Sequence, residues 1–106
     1  MLRVGFVGFG EVAAALSAVM VGKGAEVSAT DLLLESEGGR DVLAARARVE
    51  GILFRPLPEL VQNVDYVLST VTIQAARGVA RDCAPYLRPG QVFVDLNSTT
   101  PAAKLE

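Results

Sequence analysis

The feature that most constrains this chain is a glycine pair lodged between an apolar run and an alanine-rich one. Leu2–Val7 reads as a strand, with Val4, Phe6 and Val7 dense enough for burial on both faces. Gly8-Phe9-Gly10-Glu11-Val12-Ala13 follows directly. Glu11 to about Val21 then reads as a helix, with Val12, Leu16, Val19 and Met20 at helical spacing. A strand must therefore turn at once into a helix. Gly8 permits that tight turn, Gly10 withholds a side chain where a ligand can approach the backbone, and Ala13 lets the helix lie close to the sheet. Free N–H groups at the helix start, with the helix dipole behind them, suit a pyrophosphate.

The rest of the chain alternates in the same way. Gly22 and Gly24 stop the first helix, and Glu26–Thr30 reads as a second strand. After a looser stretch come a helix over Arg40–Val49 and a short strand at Ile52–Phe54. Pro56 and Pro58 precede one helical turn near Glu59–Gln62. Tyr66–Val71 is a fourth strand, Gln74–Tyr86 a helix closed by Pro89–Gly90, and Gln91–Asp95 a fifth strand. Thr100–Pro101 resembles the opening of another helix. Strands separated by helical crossovers pair in parallel, so the expected fold is α/β, a doubly wound parallel sheet of the Rossmann type. Its 106 residues form one dinucleotide-binding domain, residues 1–106.

Asp31 closes the second strand, 21 residues after Gly10. An acid there accepts hydrogen bonds from the adenosine ribose hydroxyls. The plainer alternative is a tight turn with Asp31 capping a loop. Asp31, Glu35 and Glu37 would repel a 2′-phosphate, and Leu32, Leu33 and Leu34 offer it no guanidinium. NAD is thus favoured over NADP, with Arg40 the residue that would reverse the preference. Leu32 can pack on the adenine face, while Leu33 and Leu34 read equally well as packing.

Composition excludes several chemistries. With no histidine and one cysteine, Cys83, the chain has no internal disulfide, no Ser–His or Cys–His nucleophile pair, and no ordinary zinc ligand set. Cys83 falls mid-helix and reads as a small core residue, and Tyr66 as strand packing. Ten basic residues are scattered among twelve acidic ones, which argues against a nucleic-acid partner. No apolar run approaches the roughly 20 residues of a membrane span, and no signal peptide precedes the first strand, so a cytoplasmic location is expected. The 51% hydrophobic content is high for this length and points to self-association through exposed apolar surface.

Hydroxyls and amides gather where the fourth and fifth strands end: Leu68-Ser69-Thr70-Val71-Thr72, and Val94-Asp95-Leu96-Asn97-Ser98-Thr99-Thr100-Pro101. Ligands of such sheets sit beyond the carboxyl ends of the strands. By spacing alone, Asn97–Thr100 reads equally as a turn plus helix cap.

Gly5-Phe6-Val7-Gly8-Phe9-Gly10, together with Val94 to Pro101, resembles the β-hydroxyacid dehydrogenase family, which includes 3-hydroxyisobutyrate and 6-phosphogluconate dehydrogenases. The likeness spans essentially the whole chain. It implies hydride transfer between a 3-hydroxy acid, or a phosphorylated sugar acid, and nicotinamide. It also implies that Asn97, Ser98 and Thr99 contact substrate, with Asn97 also near the nicotinamide ribose. Phe9, Gly10, Glu11 and Val12 would cradle the pyrophosphate, and Thr70, Val71 and Thr72 would line the ribose and nicotinamide side. Two motifs depart from the family: Val71-Thr72 replaces a Met/Leu-Pro type of sequence, and Ala13 replaces the last glycine. The family's catalytic lysine is expected beyond residue 106, on a helical substrate and dimerisation domain; Lys104 is too close to the fifth strand to serve. The chain is therefore expected to bind cofactor without turning over substrate alone. A stand-alone dinucleotide-sensing module is the alternative, and such a sensor needs no substrate loop at Asn97–Pro101.

Overall fold

The computed structural model describes residues 2–71 and 73–96, with the side chains of 73–77 excepted. Strand β1 (Arg3–Val7) runs through the glycine turn into α1 (Glu11–Gly22), which returns to β2 (Glu26–Thr30). A 3-10 turn at Leu32–Glu35 leads to α2 (Gly39–Arg46) and the two-residue β3 (Leu53–Phe54). Helix α3 (Leu57–Gln62), β4 (Tyr66–Ser69), α4 (Ile73–Cys83), a 3-10 turn at Ala84–Tyr86 and β5 (Val92–Asp95) complete the order.

All pairings are parallel, in the order β3-β2-β1-β4-β5. The chain winds outward from β1 in one direction and then, from β4, in the other. β1 and β4 are neighbours, with Val7 opposite Ser69. The switch point of this doubly wound sheet therefore lies between their carboxyl ends.

Each face has its own core. Val4, Phe6, Val27, Ala29 and Leu68 pack against Phe9, Ala13, Ala14 and Leu43 on one side. Val7 and Val67 pack against Leu60, Val61, Val64 and Cys83 on the other. β1 is buried on both faces because it carries apolar residues at both parities, as a central parallel strand must. Gly5 adds a spatial reason for its residue type: a Cβ there would lie 2.6 Å from Leu60 Cδ2, so its absence lets α3 approach the sheet. Burial pushes the Cys83 thiol up to about 11, in keeping with its reading as a core residue.

Several boundaries differ from the sequence reading, each with a local cause. The second helix ends at Arg46 rather than Val49, because Ala47 turns extended and Gly51 takes a positive φ on the way to β3. β4 stops at Ser69, since the next residues turn back toward the glycine loop. The helix expected through Tyr86 tightens to 3-10 geometry after Cys83, where Pro85 cannot extend an α-helical ladder. Tyr66 is 38% exposed at the start of β4, so it is not the packing residue expected. The helix expected at Thr100–Pro101 lies outside the described residues.

At the opposite end of the sheet, Arg3 and Asp65 clamp β1 to the start of β4. Arg3 donates its backbone N–H and its Nε to Asp65 Oδ2, at 3.2 and 3.4 Å, and its Nη2 to Oδ1 at 3.1 Å. Asp65 N–H returns a bond to the Arg3 carbonyl at 2.9 Å.

Candidate functional site

The glycine turn sits at the carboxyl end of β1, held from both neighbouring strands. Gly8 N–H donates to the Thr30 carbonyl at 2.8 Å, and the Thr70 hydroxyl donates to the Gly8 carbonyl at 2.6 Å. Gly8 has φ +91°, in the region that favours glycine, and a Cβ there would meet Val71 Cγ1 at 2.9 Å. Gly10 has a different environment. It is the N-cap of α1 and exposed, and among the described residues nothing lies within 4 Å of where its Cβ would be.

Helix α1 begins with no side-chain cap among the described residues. Its first N–H groups have no intrahelical partners, and the open Gly10 stands immediately before them. A phosphate fits such a place: the donors are present, the dipole has the right sign, and a larger residue at Gly10 would fill the approach. Glu11 and Val12, the first two residues of α1, are both exposed here, Val12 by half.

Asp31 stands beside this turn and is bonded into it. Its Oδ2 accepts the Phe9 N–H at 2.8 Å and its Oδ1 accepts the Leu33 N–H at 3.1 Å, capping the 3-10 turn. The two readings of Asp31 thus meet in one residue: it caps the loop, and it stands where a ribose-binding acid would. A carboxylate offers about four acceptor sites, so two backbone bonds leave room for two hydroxyls. Leu32 is 90% exposed at the rim, whereas Leu33 and Leu34 pack against the core.

A cavity of about 690 Å³ opens above β1, β2 and β4, on the face covered by α3 and α4. Val7, Gly8, Asp31, Leu32 and Val71 line one part of it, and Pro56, Leu57, Val79 and Asp82 another. Among the described residues, three carboxylates (Asp31, Glu35 and Asp82) and one guanidinium (Arg40) border it. Arg40 is directed to the Phe54 carbonyl, with Nη1 at 3.2 Å.

The structure thus brings Gly8, Phe9, Gly10, Glu11, Val12, Asp31, Leu32, Thr70 and Val71 to one end of the sheet. Thr72, Asn97, Ser98 and Thr99 lie outside the described residues. Phe9 is not an exposed member of the turn. Its ring is buried and packs edge-on against Phe54 with centroids 5.2 Å apart, so only its backbone is available. Sequence reasoning passed over Arg46, whose Nη1 donates to the Phe9 carbonyl at 3.1 Å, and the α3 and α4 residues of the cavity wall. Nothing local to Arg46 announces this contact, which spans 37 positions. Among the described residues no cluster of potential metal ligands occurs, and no helix is long and apolar enough to cross a membrane.

Comparison with known proteins agrees with this fold. Residues 3–99 match the family model described as NADP oxidoreductase coenzyme F420-dependent. An uncharacterized 28.5 kDa protein of Methanothermus fervidus is 34% identical over 104 residues, 97% of this chain and 38% of that protein. A conserved hypothetical protein from Sinorhizobium meliloti 1021 superposes with a TM-score of 0.84 at 34% identity, over 99% of this chain and 36% of its own. The 3-hydroxyisobutyrate dehydrogenase of Mycobacterium tuberculosis, solved with L-serine, gives 0.71 at 28% identity, over 92% of this chain and 32% of its own. The chain thus spans about a third of the length of the relatives it matches.

Proposed function

The chain belongs to the NADP oxidoreductase, coenzyme F420-dependent family, as a nicotinamide-dinucleotide-binding domain of hydroxyacid-dehydrogenase-like type, and from that premise we propose how it serves hydride transfer. The reading is that it holds NAD against a 3-hydroxy acid or phosphorylated sugar acid, with catalysis completed by a lysine on a further domain. The observation that carries it is the open Gly10 at the uncapped start of α1, tied through Phe9 to Asp31 at the carboxyl end of β2.

When bound, the nicotinamide supplies the hydride acceptor or donor. The chain's own residues bind and orient. Backbone N–H groups from Gly10 to Val12 take the pyrophosphate, and the remaining acceptor sites of Asp31 take the ribose hydroxyls. Leu32 covers the adenine, and Val71 and Thr72 border the nicotinamide side. The Thr70 hydroxyl proton goes to the Gly8 carbonyl, so Thr70 serves the ribose side by accepting. Asn97, Ser98 and Thr99 contact the substrate, Asn97 also serving the nicotinamide ribose.

The preference for NAD over NADP rests on charge. Among the described residues, Asp31, Glu35 and Asp82 outnumber Arg40 around the cavity, and a 2′-phosphate would add further negative charge beside Asp31. The family's description names NADP, which makes Arg40 the residue to watch. Self-association is proposed through apolar surface such as Val12 and Val19, both at least half exposed on α1.

A thermal-shift titration with NADH and NADPH tests the reading, because a ligand selective for the folded state raises the melting temperature. A larger shift with NADH, lost in Asp31→Ala, is expected. A larger shift with NADPH that Arg40→Ala abolishes would overturn the NAD assignment. No shift with either would overturn dinucleotide binding by this chain.

A further inference from the structure

We infer that Arg46 is a positioning residue for the pyrophosphate turn: by holding the Phe9 carbonyl, it sets the direction in which the Gly10 N–H is offered. This rests on the dinucleotide reading above and extends it to a residue outside the glycine motif.

Arg46 lies in the last turn of α2, and its Nη1 donates to the Phe9 carbonyl oxygen at 3.1 Å. The Phe9–Gly10 peptide is trans, so its carbonyl and the following N–H point in opposite directions. With the oxygen drawn toward α2, the Gly10 N–H is turned away from that helix. Phe9 is thus held at three points: its N–H by Asp31 Oδ2, its ring by Phe54, and its carbonyl by Arg46.

The third restraint matters because of Gly10. A glycine with open space around it would let this peptide rotate at little cost, and a rotated peptide would present an oxygen to an incoming phosphate. The guanidinium donates in a fixed fork, so the restraint is directional. Ala14, Glu11 and Arg48 border the same small cavity, of about 270 Å³. The site is therefore open enough for the guanidinium to be exchanged for a smaller group without crowding.

The test uses the whole chain, labelled with nitrogen-15, and reads the Gly10 amide resonance without ligand and the affinities for NADH and for adenosine. Adenosine carries no phosphate and so reports the remainder of the site. Arg46→Ala is expected to move the Gly10 resonance in the ligand-free protein, to weaken NADH by about tenfold, and to leave adenosine unchanged. Arg46→Lys keeps a donor of similar reach and is expected to restore most of both effects. An unmoved Gly10 resonance, unchanged NADH affinity, or equal weakening of NADH and adenosine would overturn the inference. If the alanine variant does not fold, the same comparison is made between Arg46→Lys and Arg46→Gln, which retain donors of different reach; equal Gly10 positions and affinities in the two would overturn it as well. Failure of the unaltered chain to bind NADH would overturn the dinucleotide reading itself, and is distinguishable because it precedes any substitution.

Discussion

Asp31 and Phe9 are joined across the end of the sheet: the Asp31 Oδ2 accepts the Phe9 N–H at 2.8 Å, while Oδ1 accepts the Leu33 N–H at 3.1 Å. The acid that the cofactor reading assigns to the ribose is also the bracket between the glycine turn and the segment after β2. Asp31→Ala should therefore lower stability by about 1–3 kcal/mol, as two backbone donors lose their acceptor. It should also weaken NADH and NADPH together, because the turn itself is disturbed. Asp31→Asn retains one oxygen and should fall between. Urea denaturation beside titration of both cofactors checks this; loss of NADH binding at unchanged stability would refute the bracketing role.

Gly8 and Gly10 should respond in opposite ways to the same substitution. Gly8→Ala forces a left-handed residue, costing about 1–2 kcal/mol, and pushes a methyl against Val71. Its melting temperature should fall. Gly10→Ala has an allowed backbone (φ −91°) and free space, so its melting temperature should hold or rise slightly. Its NADH binding should be lost, since the methyl occupies the approach to α1. Thermal melts with and without NADH separate the two.

Gly39 makes a stronger structural demand than either. A Cβ at this buried position would overlap the Leu33 carbonyl, which already accepts the Ser36 N–H at 3.0 Å. Neither the backbone nor its bond can yield cheaply. Gly39→Ala should cost more than about 2 kcal/mol and increase hydrogen exchange through Leu32–Arg46. Urea denaturation and exchange mapping provide the check.

The Arg3–Asp65 clamp makes stability pH-dependent. The Arg3 guanidinium, by its hydrogen bonds and charge, holds the Asp65 carboxyl below its ordinary range. A group with a depressed folded-state pKa contributes stability above its unfolded pKa, and that contribution is lost as pH falls through the folded value. The stability gap between the unaltered chain and Asp65→Asn should thus be full at neutral pH and close below about pH 4. The side chains are 43% and 41% exposed, so salt should narrow the gap as well. Denaturation at several pH values and salt concentrations measures both effects.

The candidate site was legible in the sequence to the extent that its parts are local. Gly8, Gly10 and Ala13 could be read because a strand, a tight turn and a helix follow one another within a few residues. Asp31 could be read because one helical crossover fixes its distance from them. Arg46 could not, for its contact with Phe9 depends on where α2 comes to rest against the turn. The 3-10 turn at Leu32–Glu35 was likewise obscured, since its three leucines carry no period and two of them find their partners in the core.

The sequence by itself determined the alternation of elements and hence the parallel, doubly wound sheet. Side-chain period and turn chemistry act within single elements and need no partner to be read. Tertiary structure alone decided which side chains hold the turn. It directed both oxygens of Asp31 to backbone donors, brought Arg46 to the Phe9 carbonyl, and set Gly39 against Leu33. Those relations depend on where helices come to rest on the sheet, and that placement follows from the packing of whole faces rather than from any one segment.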